Sequence, residues 1–98
     1  MSDISIMPMD DGVFGVQVTE GRTVTSHRVR VPDGFSDELG VEAAPVEIVR
    51  QSFAFLLERL ANTSIRGEFS IGDLDREFDD YREELRLRCQ PSRTASET

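Results

Sequence analysis

The sequence predicts an α+β fold: a three-stranded antiparallel β-meander packed by a long helix and by a second, acidic C-terminal helix. Three observations lead there. Apolar residues alternate with a period of two over the first third of the chain, a wide helical stripe follows from Pro45 to Leu60, and a narrow one runs from Ile71 to Leu85. The 98 residues, 38% hydrophobic and 31% charged, suit one globular domain over 1–88 with a flexible tail at 89–98.

The first strand is expected at Ile4–Ile6, where the isoleucines alternate with Asp3 and Ser5 before Pro8 and an Asp10-Asp11-Gly12 turn. The second runs from Val13 to Thr19, with Phe14, Val16 and Val18 facing the core. Glu20-Gly21 reverses the chain, because glycine accepts a positive φ at no steric cost. A third strand, Thr23–Val31, is rich in β-branched residues; it puts Thr25, His27, Val29 and Val31 on one face and Arg28 and Arg30 on the solvent side. Pro32-Asp33-Gly34 ends it, and Asp33–Leu39 makes one helical turn stopped by Gly40.

Pro45–Leu60 is the principal helix. Val46, Val49, Phe53, Leu56, Leu57 and Leu60 fall in a stripe about 100° wide, and Pro45 fits the first helical position. Ile48 and Phe55 project from the opposite side. They are covered by the Ile71–Leu85 seam, or else they form a contact through which a homodimer assembles. After an Asn62-Thr63-Ser64 loop, Ser70 and Asp73 resemble a capping box and start a helix over 71–88, in which Ile71, Leu74, Phe78, Tyr81 and Leu85 form the seam.

Several function classes are disfavoured. A formal charge of −8 runs against phosphate-driven nucleic-acid binding. All eleven basic residues are arginine, so neither a Schiff-base lysine nor a Gly-Lys-Ser/Thr phosphate loop exists. No run of apolar residues is long enough for a membrane span and no secretory leader stands at Met1, so a cytoplasmic setting is expected. His27 lacks a nucleophile at base spacing, Cys89 sits near a loose end, and no His/Cys cluster or calcium-loop pattern calls for a metal or cofactor. An enzyme using Asp75 and Asp79 with His27 is the weakest of the readings.

The informative feature is acidic. On a continuous helix, Asp73, Glu77, Asp80 and Glu84 stand at i, i+4, i+7 and i+11, one column of carboxylates costing a few tenths of a kcal/mol per neighbouring pair. That column either solubilises the domain or docks a basic protein. The expectation is a non-catalytic interaction module that binds or inhibits a basic partner, as antitoxins and phage-encoded anti-defence inhibitors do, with a small homodimer as the alternative.

Ser52-Phe53-Ala54-Phe55-Leu56-Leu57-Glu58-Arg59, Asn62-Thr63-Ser64-Ile65, Glu68-Phe69-Ser70-Ile71, and then Phe78 and Tyr81 resemble a group of small uncharacterised bacterial proteins. In that group a short β-hairpin region precedes a helix and loop of this type. The resemblance spans Gly12 to Arg88. This chain departs from it at Leu60-Ala61, where Glu-Pro is usual, at Arg66, where an apolar residue is usual, and at Asp79-Asp80, where a proline often precedes the tyrosine. The resemblance implies the fold and brings no activity. A looser likeness, strands followed by a helix, is to small antitoxins with a partial ribonuclease-H fold.

Overall fold

Alternation builds the sheet. In the computed structural model, which describes residues 2–40 and 43–89, Ser2–Asp10 (β1), Val13–Glu20 (β2) and Thr23–Arg30 (β3) form the expected antiparallel meander. Val16 pairs with both Ile6 and His27, and Val18 with Ile4 and Thr25, so one face collects the apolar residues. Both hairpin turns use glycine at positive φ, Gly12 at 69° and Gly21 at 59°. Gly12 has a second constraint. A Cβ there would stand 2.9 Å from the Val31 carbonyl oxygen, while the Val31 N–H donates to the Gly12 carbonyl at 2.7 Å.

The sheet has four strands where the pattern predicts three. Glu68–Ser70 (β4) pairs parallel to β3, giving the order β1-β2-β3-β4. A three-residue strand is too short to show a period, and its partner is reached only through a helical crossover. Phe35–Leu39 (α1) and Pro45–Leu57 (α2) occupy that crossover. Gly40 ends α1 in the left-handed conformation, and Pro45 starts α2 as predicted.

Most of α2's apolar side chains are buried, with Val46 and Leu57 half-buried at the margin. Phe53 is fully buried against the sheet, with its ring centroid 5.4 Å from that of His27 and 5.8 Å from that of Phe69. Ile48 and Phe55 are also fully buried. Over Phe55 the cover is the C-terminal segment: Phe78 and Tyr81 each meet its ring edge-on at 5.4 Å, as aromatic quadrupoles prefer. The contact through Ile48 and Phe55 expected for a homodimer is therefore corrected, since neither side chain reaches the surface.

The last helix is two helices. Ile71–Glu77 (α3) ends at Phe78, whose φ of −124° and ψ of 117° are extended, and Tyr81–Cys89 (α4) begins after Asp79-Asp80. The Ser70–Asp73 capping box is present: Ser70 Oγ accepts from Gly72 N–H and Asp73 Oδ2 accepts from Ser70 N–H, each at 3.3 Å. Asp80 supplies a second helix start, its carbonyl accepting from Glu84 N–H at 2.9 Å. Of the expected tail, only Cys89 lies among the described residues, and it closes α4 as a buried residue.

Candidate functional site

The break at Phe78 dissolves the carboxylate column, and each member has work at home. Asp73 caps α3. Glu77 pairs with Arg66, Asp80 with Arg59 at 2.6 Å, and Glu84 with Arg88 at 3.3 Å. Arg59 also lies over the Phe55 ring, 3.8 Å from its centroid, so Asp80 steadies a cation–π contact on the core. The one-column geometry is corrected: Asp73, Glu77, Asp80 and Glu84 sit on two helices and the turn between them, Asp73 as a cap and the other three paired with the chain's own arginines.

The other arginines of α4 do similar work. Arg82 donates to the Glu38 carbonyl at 2.9 Å and Arg86 to the Leu39 carbonyl at 2.6 Å, satisfying acceptors left open at the end of α1. Arg82 also holds Asp75 at 2.6 Å, and its hydrogen bond lowers the Asp75 pKa below the ordinary carboxylate value. A carboxylate whose folded pKa is depressed stabilises the fold above its unfolded pKa and loses that contribution as pH falls. Asp75→Asn should therefore flatten the loss of stability below about pH 4, read by urea melts across the acid range. An acid limb as steep as that of the unmodified chain would contradict it.

Of the residues weighed for catalysis, His27, Cys89 and Asp75 are held structurally, and Asp79 is exposed in the turn before α4. His27, 5% exposed, donates from Nδ1 to the Arg66 carbonyl at 2.7 Å, and its Nε2 is 2.8 Å from the Thr25 hydroxyl. Burial raises the Cys89 pKa and the charge of Glu47 adds to it, the opposite of what a thiolate nucleophile needs. Asp75 is committed to Arg82. No group of three or more His, Cys, Asp and Glu side chains among the described residues is arranged to hold a metal ion.

The open surface is the other face of the sheet. The register puts Met7, Gly15, Arg28 and Glu68 in one row across all four strands, with Ser5, Gln17 and Ser26 in a neighbouring row. Arg28 and Glu68 make a long, exposed ion pair at 3.7 Å, and the Arg30 side chain has no ion pair or hydrogen bond among the described residues. Met7 is 68% and Met9 53% exposed. Gly15 lowers the floor between them, and Met9 leans over it: a Cβ on Gly15 would meet Met9 Sδ at 2.9 Å. The result is an open groove of about 540 Å³ lined by Met7, Met9, Gly15, Gln17 and Arg28. A second of about 440 Å³ continues it past Arg30 toward Phe69 and Ser70.

None of these groove residues entered the sequence expectation as a site. The available signal was Gly15, an isolated glycine inside an alternating strand, which marks a bulge or a close approach. Among the described residues no helix is long and apolar enough to cross a membrane. No protein-family model matches the chain, and no curated protein or solved structure does either.

Proposed function

We propose that the chain is a non-catalytic protein-interaction module that receives a segment of a partner polypeptide on the uncovered face of its sheet. The observation that carries the reading is the groove over Gly15, walled by two exposed methionines on one side and by Arg28 and Arg30 on the other. An antiparallel sheet with one wet face is ordinary. Large exposed apolar side chains bordering a glycine floor on that face are not required by the fold, and methionine suits a surface that must adapt to its occupant. The groove is open, whereas small-molecule sites bury most of their ligand, so an extended peptide segment fits better. Its chemistry follows from the walls: an apolar side chain over Gly15 and a carboxylate at Arg30.

A basic partner on Asp80 and Glu84 remains the opposing reading, and one experiment separates the two. Capture from the native host's lysate should be lost with Gly15→Val and with Arg30→Glu, and retained with the double reversal Asp80→Arg, Glu84→Arg. Arg59, Arg88 and Glu84 are partly covered in these pairs, so a urea melt of the reversed chain accompanies the capture and must show it folded. The Cβ that Gly15→Val adds meets Met9 Sδ at 2.9 Å and Cγ at 3.3 Å, so the Met9 side chain swings aside, and the change removes a glycine that costs a strand about 0.5–1 kcal/mol, so the urea midpoint should hold. Capture lost through the reversals and kept with Gly15→Val would reject the sheet face in favour of the acidic surface.

A further inference from the structure

β1 is a nine-residue strand at the edge of the sheet, paired with β2 along one side only. Arg50 Nη1 reaches the Ile4 carbonyl in a long, exposed contact of 3.5 Å, so that carbonyl points away from β2. By the alternation of an antiparallel ladder, the backbone groups of Ile6 and Pro8 point outward as well, and Pro8 is tolerated there because its missing N–H faces no partner strand. The same stretch is unfinished on both faces. Ile4 and Ile6 pack on the core yet stay partly exposed, and Met7 is open to solvent on the other side.

We infer that β1 pairs with β1 of a second copy, antiparallel about a two-fold axis through Ser5. In that register Ile4 of each copy exchanges both backbone hydrogen bonds with Ile6 of the other, and Ser2 N–H donates to the Pro8 carbonyl, where the missing proline N–H ends the ladder. An isologous contact demands a self-complementary patch, and this register supplies one. Isoleucine meets isoleucine on the core side. Asp3 faces Met7 on the outer side, so no like charges are opposed. The long Arg50 contact yields to the stronger backbone bond. Ser5 and Met7 also line the groove described above, so pairing makes the two grooves continuous across the axis. A short strand pair falls below the roughly 1,200 Å² of a stable interface, so the dimer dissociates on dilution.

Sedimentation equilibrium of the unmodified chain, from micromolar to millimolar, should show the mass rising from 11.0 kDa toward twice that value. Ser5→Lys places two like charges at the axis on an exposed position and should hold the mass at that of one chain with an unchanged urea midpoint. Ser5→Cys should cross-link on mild oxidation, since directly opposed non-hydrogen-bonded residues lie within disulfide reach, while the unmodified chain, with its buried Cys89, should not. A single-chain mass at every concentration would overturn the inference. So would a dimer that survives Ser5→Lys or that Ser5→Cys fails to trap, because it would use another surface. Neither result bears on lysate capture through Gly15 and Arg30.

Discussion

Phe53→Ala should cost about 3–5 kcal/mol, most of the stability of a domain this size. The side chain is fully buried and its ring meets His27 on β3 and Phe69 on β4, so it joins α2 to both strands of the parallel pair. Truncation leaves a hole against a β-sheet that cannot slide inward without breaking its ladder. It also takes the ring away from His27, whose two nitrogens are already committed to Thr25 and Arg66. The cost should appear as a shift of the urea midpoint with an unchanged slope. A loss under about 1 kcal/mol would mean that α2 does not rest on the sheet through this face.

Tyr81→Ala should cost a similar amount, about 3–5 kcal/mol, while Tyr81→Phe should cost only about 1 kcal/mol. Tyr81 is fully buried, stands edge-on to Phe55, and shares a 2.7 Å hydrogen bond with Ser52 Oγ. Burial raises its pKa far above the ordinary value, with the Ser52 bond pulling the other way, so the phenol is neutral at pH 7. Removing only the hydroxyl leaves Ser52 bonded to the Ile48 carbonyl at 2.7 Å, and no polar group is stranded. Removing the ring uncovers Phe55 and frees α4. Equal costs for the two substitutions would show that the hydrogen bond, and not the ring, holds α4 in place.

These two side chains also show how far the sequence was legible. The Phe53 face was readable because a helix on a sheet must present one apolar stripe, and the period of 3.6 displays it. The cover over Ile48 and Phe55 was readable as one of two outcomes, since the Ile71–Leu85 spacing had to bury somewhere. The break at Phe78 was not read, although Asp79-Asp80 carries a helix-start signal: apolar spacing across the break keeps its 3-4 rhythm, and that rhythm masked it. The lost column follows from the same miss, because its four carboxylates share a line only on an unbroken helix.

Arginine pairing between helices was hidden for a different reason. Arg59 with Asp80, or Arg82 with the Glu38 carbonyl, joins positions far apart in sequence, and no local pattern announces them. Strand β4 was hidden by its length. The groove was half visible. Gly15 interrupts a strand of otherwise good β-formers, yet its meaning depends on Met7 and Met9 arriving from β1 in register, which only the paired sheet reveals.

The division of the molecule into a helical side tied by ion pairs, with only Leu87 of its large apolar side chains exposed among the described residues, and an open sheet side is tested most directly by methyl and guanidinium NMR with the captured partner added. The Met7 and Met9 methyl signals should shift or broaden on binding, while the guanidinium signals of Arg59 and Arg88 stay where they are in the free chain. Unmoved methionine methyls together with displaced Arg59 and Arg88 signals would mean that the partner breaks the ion pairs of the helical side, and would contradict the account.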